Sequence, residues 1–195
     1  MDKTFCIFGD SVTQAAYVNT GWVDLFRTYL EQKYCDEFIN VFNLGIGGNT
    51  SDDILKRFKT ESEAREPTVI IFAFGVNDSC YFKTPDKPIV PKSRFIENIK
   101  SLTTEAKNFT SEIAIIGLVL GDESLLKPFP DSSQGKSYEL TRVTDFNEEL
   151  KRHAVASNSQ FIQLLDKLNP TDFSDGLHPN DQGHLKMFNE IKKWF

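Results

Sequence analysis

Cysteine, basic runs and long apolar stretches are all scarce in this chain of 195 residues, and each scarcity excludes a class of protein. The three cysteines (Cys6, Cys35, Cys80) are an odd, widely spaced set with no Cys-x-x-Cys pair. That pattern offers neither a disulfide framework nor a zinc site. No basic run of five residues occurs, and 22 Lys+Arg stand against 28 Asp+Glu for a formal net charge of -6. The electrostatic footprint of a nucleic-acid binder is therefore missing. The longest unbroken apolar stretch, Val69 to Phe74, is far short of the ~20 residues a membrane span needs. Met1-Asp2-Lys3 opens the chain without the apolar region of a signal peptide. The expectation is a cytoplasmic protein with no nucleic-acid partner and no stable membrane association.

What is present is a regular alternation. Thr4-Phe5-Cys6-Ile7-Phe8 is a short apolar run closed by Gly9, the pattern of a strand buried on both faces. Similar runs occupy 38–44, 68–74, 112–119 and 160–165. Helical spacing separates them: Trp22, Phe26, Tyr29 and Leu30; Ile54, Leu55 and Phe58; Phe95, Ile99, Leu102 and Ala106; Leu140, Val143, Phe146 and Leu150; Leu185, Phe188 and Ile191. Thr50 or Ser51 can cap the second of these helices. Strands alternating with helices call for a parallel sheet covered on both faces, the doubly wound α/β class. No repeat, linker or low-complexity tract interrupts it, which predicts a single domain over residues 1–195.

Two connections, 77–92 and 120–137, exceed the ~2–6 residues usual in such folds. Both follow strands, so both overhang the edge at which open α/β sheets hold ligands. Tyr81, Phe82, Leu125, Leu126 and Phe129 are the candidates for substrate walls there.

Gly9-Asp10-Ser11 sits at the same edge, which makes Ser11 a candidate nucleophile. A serine hydroxyl needs a base to take its proton. Of the three histidines, His153 lies mid-helix and His184 falls in the last helix, where structural use is the simpler reading. His178 lies in the loop Ser174-Asp175-Gly176-Leu177-His178-Pro179, after the fifth strand, and Asp175 is close enough along a turn to orient its imidazole. Donors for a developing oxyanion are offered by the glycine run Gly45-Ile46-Gly47-Gly48-Asn49-Thr50 and by Asn77 after the central strand. Asp78 suits a capping role, and Asp10 a supporting one that holds the loop.

Gly-Asp-Ser near the N-terminus, Gly before x-Thr after strand two, Gly-x-Asn-Asp after strand three and Asp-x-x-His near the C-terminus resemble, in order, the four blocks of the SGNH hydrolases of the GDSL lipase/esterase superfamily. The blocks span residues 9–178. The resemblance implies a three-layer α/β/α flavodoxin-like sandwich with a five-stranded parallel sheet in the order 2-1-3-4-5. It further implies Ser11 as nucleophile, His178 as base and Asp175 as its partner. The oxyanion hole would be Ser11 N–H, Gly48 N–H (with Gly47 as the alternative) and the Asn77 side chain. The activity implied is hydrolysis of a small-molecule carboxylic ester without metal or organic cofactor, with short-chain acyl esters of small molecules or sugars preferred. Three other readings stand beside it: a flavodoxin-like phosphate or FMN module, a metal phosphoesterase using Asp10, Asn77, Asp78 and His178, and a catalytically silent homologue. Oligomeric state is not legible.

Overall fold

The computed structural model describes residues 2–86, 88–130 and 132–195. Five strands, β1 (Lys3–Gly9), β2 (Ile39–Gly45), β3 (Val69–Ala73), β5 (Ile113–Ile116) and β7 (Gln160–Ile162), form one parallel sheet in the order β2-β1-β3-β5-β7. Counted without the two short strands β4 (Tyr81–Phe82) and β6 (Lys136–Ser137), which form a separate two-stranded sheet, this is the order 2-1-3-4-5.

Successive residues of a strand face opposite sides, and here both sides are apolar. Phe5 and Ile7 of β1 face α2 (Trp22–Lys33) and α7 (Asp181–Ile191), where Trp22, Phe26, Leu30, Met187 and Ile191 are buried. Cys6 and Phe8 face the other side, against α3 (Ser51–Glu63), α5 (Lys92–Ala106) and α6 (Leu140–Ser157). Two cores with β1 and β3 between them make three layers, the α/β/α sandwich. Among the described residues, no helix is long and apolar enough to cross a membrane.

Several boundaries move inward from the sequence expectation. The fourth parallel strand stops at Ile116 rather than at Val119. Its pairing ends because the Leu118 N–H turns to Asn147 Oδ1 on α6 at 2.9 Å instead of continuing a ladder. The fifth stops at Ile162 rather than Leu165. Thr50 is the residue ahead of α3, and its N–H and hydroxyl both bond Asp53 Oδ2, at 3.1 and 2.8 Å.

The two long connections are not independent loops. Tyr81 pairs with Ser137 and Phe82 with Lys136 in an antiparallel ladder. Thus the segment after β3 and the segment after β5 are joined into one structure over the carboxyl edge of the sheet. This pairing has no local signal, since each strand is only two residues long.

Candidate active site

β1 delivers its last residue, Gly9, to the carboxyl edge, and Asp10 turns the chain into the short helix α1 (Ser11–Gln14). Asp10 is buried and caps α1, its Oδ1 accepting the Val12 N–H at 3.0 Å. A side chain at Gly9 would collide with the turn: a Cβ there would lie 2.1 Å from Thr13 Oγ1 and 2.7 Å from the Ala73 carbonyl. The glycine lets α1 sit directly on the ends of β1 and β3, and Ser11 opens that helix.

The hydroxyl of Ser11 is 3.0 Å from His178 Nε2, and His178 Nδ1 is 2.6 Å from Asp175 Oδ2. The loop that holds them is tightly organised. Asp175 Oδ1 accepts the N–H groups of Leu177 and His178 at 2.9 and 2.7 Å, while the Ser174 N–H donates to the His178 carbonyl at 2.9 Å. Burial favours the neutral acid at Asp175, but these donors, with the imidazole itself, outweigh it and hold the carboxyl below its usual range. An ionised Asp175 only accepts, so it places the imidazole proton on Nδ1 and leaves Nε2 as an acceptor facing the Ser11 hydroxyl.

The glycine turn closes the other side. Gly47 donates its N–H to Gln14 Oε1 at 2.7 Å, whereas the Gly48 N–H makes no hydrogen bond among the described residues. Gly48 has φ +78°, the left-handed region that glycine enters without a Cβ penalty. Asn77, on α4 (Val76–Ser79), is 3 % exposed and borders the same cleft. Its Nδ2 donates to the Asn49 carbonyl at 3.1 Å, and its Oδ1 accepts the Tyr138 hydroxyl at 3.2 Å. Next to it, Asp78 is buried and bonds the Ser51 N–H and hydroxyl, so its capping serves the start of α3. Burial pushes the Asp78 carboxyl up to about 6, against the opposing pull of those Ser51 bonds.

The cleft over Ser11 encloses about 430 Å³, and Tyr17, Phe129, Gln134, Lys136 and Tyr138 contribute to its walls. A larger hollow of about 570 Å³ lies at the opposite edge of the sheet, bordered by Lys3, Val69, Ile113 and Phe195, with none of the groups just described. Of the expected walls, Phe129 is in place, with its ring centroid 6.1 Å from that of His178. Tyr81 and Phe82 are not: neither borders the cleft. The β4–β6 ladder turns Tyr81 into the fold, where its hydroxyl donates to Glu139 Oε1 at 3.1 Å and Arg142 lies over its ring. Leu126 is fully buried in the core, and Leu125 points to solvent.

Two residues absent from the sequence expectation stand next to the imidazole or the glycine turn. Tyr17 lies edge-on to His178 with centroids 4.9 Å apart, is 72 % exposed and has φ +72°. Gln14 follows Ser11 by three residues, the helical spacing that brings it to the same edge. The other histidines are structural. His153 shares a 2.7 Å hydrogen bond with Thr103 between α6 and α5. His184 is buried, accepts the Trp22 N–H at 3.2 Å, and is pushed down to about 4 by that burial. Among the described residues, no cluster of three or more His, Cys, Asp or Glu side chains could hold a metal.

Comparison with known proteins gives a consistent picture. A model of the GDSL-like Lipase/Acylhydrolase family matches residues 7–186. An isoamyl acetate-hydrolyzing esterase 1 homolog of Bos taurus is 33 % identical over 199 residues, covering 95 % of this chain and 78 % of that one. A GDSL esterase/lipase of Arabidopsis thaliana is 24 % identical over 197 residues, covering 96 % of this chain. The chain spans 62 % of that Arabidopsis protein, and its match to a Bacillus subtilis lipoprotein covers 42 % of the lipoprotein. Among solved structures, an acetylxylan esterase from Geobacillus stearothermophilus superposes with a TM-score of 0.77 at 21 % identity, over 98 % of this chain and 93 % of that one.

Proposed function

The chain belongs to the GDSL-like lipase/acylhydrolase family, a family of ester-bond hydrolases, and we propose that it cleaves carboxylic esters through Ser11, His178 and Asp175. The observation that carries this reading is the continuous relay from Asp175 Oδ2 through His178 to Ser11 Oγ, 2.6 and 3.0 Å across its two links.

In the proposed reaction, His178 Nε2 takes the Ser11 proton as Oγ attacks the ester carbonyl carbon. The carbonyl oxygen becomes an oxyanion, received by the Ser11 and Gly48 N–H groups and the remaining Asn77 Nδ2 hydrogen. Asp175 stabilises the imidazolium that forms without taking its proton. His178 then protonates the leaving alcohol, and the ester is left as an acyl-Ser11 intermediate. Water, deprotonated by the same imidazole, attacks that acyl group, and Ser11 regains its proton as the acid departs.

The substrate proposed is a short-chain acyl ester of a small alcohol or a sugar. A cleft of about 430 Å³ walled by Gln134 and Lys136 as well as by Tyr17 and Phe129 suits a polar alcohol better than a long acyl chain. Two relatives whose names specify an acetyl ester, the isoamyl acetate esterase homolog and the acetylxylan esterase, support an acetyl group.

Hydrolysis of p-nitrophenyl acetate, butyrate and octanoate by wild type and Ser11→Ala tests the proposal. Loss of turnover by a factor on the order of 10⁴ or more in the variant is expected, with the wild-type rate falling as the acyl chain lengthens. Full activity in Ser11→Ala would remove Ser11 from the mechanism; a rate that rises towards octanoate would remove the short-chain preference.

A further inference from the structure

Tyr138 has no part in the chemistry above, yet it is 2 % exposed and ends its hydroxyl on Asn77. A primary amide can present either oxygen or nitrogen to a cleft, and only its partners decide which. At Asn77 the partners are unequal. The Asn49 carbonyl can only accept, so it demands Nδ2 on its side, 3.1 Å away. The Tyr138 hydroxyl supplies a donor to Oδ1 at 3.2 Å. Burial pushes the phenol far above its ordinary value, the neighbouring Cys80 side chain pushes the same way and so, less strongly, do the carboxyl groups of Asp10 and Asp175, so it stays protonated and able to donate.

We propose that Tyr138 is a positioning residue, which locks the Asn77 amide with one Nδ2 hydrogen directed to the oxyanion. This inference rests on the Ser11 reading above. Its consequence is that the long segment after β5 does more than wall the cleft. Tyr138 follows β6 directly, and β6 is paired to β4, which follows Asn77 on the other long segment. The β4–β6 ladder therefore brings the amide and the hydroxyl that orients it into register. With the hydroxyl removed, the Oδ1 end has no donor among the described residues, and only the Asn49 carbonyl still opposes rotation of the amide oxygen towards the developing negative charge. Rotation would repel the oxyanion, an effect felt in the transition state and not in ground-state binding.

The experiment is steady-state hydrolysis of p-nitrophenyl acetate by wild type, Ser11→Ala, Tyr138→Phe, Asn77→Ala and the Tyr138→Phe/Asn77→Ala double variant, each checked by thermal melting. Tyr138→Phe is expected to lower kcat about 10-fold while KM stays within about two-fold. In the Asn77→Ala background the same change is expected to have no further effect, since there is no amide left to orient. An unchanged kcat, or an equal loss in both backgrounds, overturns the inference. Should Tyr138→Phe fail to fold, p-aminophenylalanine at position 138 keeps the ring's shape and replaces the hydroxyl by a neutral N–H donor. Its kcat is expected to stay within about two-fold of wild type, since the Asn77 oxygen keeps a donor; a loss as large as that of Asn77→Ala overturns the inference. Full activity in Ser11→Ala would instead remove the underlying mechanism, so the two failures read differently.

Discussion

Arg57 of α3 donates to the carbonyls of Gly9 and Leu44 at 3.3 and 2.8 Å, joining the ends of β1 and β2 from below. The same guanidinium reaches Asn49 Oδ1 at 3.0 Å and is balanced by Glu61 at 3.2 Å. One side chain thus ties the segment before Ser11 to the segment that carries Gly48. Replacing Arg57 by Leu strips donors from two strand-end carbonyls and leaves Glu61 without its charge partner. A loss of about 2–4 kcal/mol is expected, read from urea unfolding. A midpoint within error of wild type would mean that water substitutes fully for the guanidinium.

Asn77→Ala removes one of the three proposed oxyanion donors. Deleting a donor of this kind usually raises the barrier by ~2.7–4 kcal/mol, so kcat is expected to fall by about 10²–10³-fold with little change in KM. An unaltered kcat would leave the amide a structural group only.

Gly9→Ala and Gly48→Ala separate space from backbone conformation. At Gly48 a Cβ would meet nothing within 4 Å, so only the left-handed conformation resists it, at about 1–2 kcal/mol. At Gly9 the added carbon would press on the Ala73 carbonyl at 2.7 Å, and backbone cannot step aside cheaply. Gly48→Ala is expected to fold with a modest drop in Tm, and Gly9→Ala to lose most of its folded, soluble yield. Equal melting curves for the two would contradict the packing of α1 on the strand ends.

Burial pushes the Asp10 carboxyl up to about 7, against the pull of its Val12 hydrogen bond and with the help of the Asp78 charge. Between the ordinary carboxylate range near 4 and about 7, the folded state then holds a proton that the unfolded state has released. This contribution to stability is complete below that window and lost as pH rises through it. Asp10→Asn keeps an oxygen for the Val12 cap and cannot ionise. Measured by denaturant unfolding from pH 4 to 8, the variant is expected to gain on wild type as pH rises, and parallel curves would refute the shift.

Tyr17 combines φ +72° with a ring 72 % exposed beside His178. Strain at such a position persists when something else depends on it. Tyr17→Asn, a residue that tolerates the left-handed region, is expected to stabilise the fold by about 0.5–1 kcal/mol and to raise KM for ester substrates. Gain of stability with KM unchanged would leave the ring without a role in binding.

The α/β class, the order of strands and helices, and the choice of Ser11, Asp175 and His178 as candidates for the triad were all legible in the residues themselves. Apolar periodicity and glycine or proline punctuation are local properties, and with three histidines in the chain the search for a base was short. The four blocks, taken in order, added the sheet order and the proposed oxyanion donors. What the tertiary structure decided was how hydrogen bonds are allocated between distant segments. Gln14 takes the Gly47 N–H across 33 residues and leaves that of Gly48 unclaimed, which no pattern within the glycine run reveals. Tyr138 meets Asn77 across 61 residues because two short strands pair the long segments. That same pairing turned Tyr81 inward and removed it from the cleft wall. A strand of two residues has no period to read, so the register of the β4–β6 ladder, and with it the orientation of every side chain it carries, exists only once both segments are folded onto the sheet.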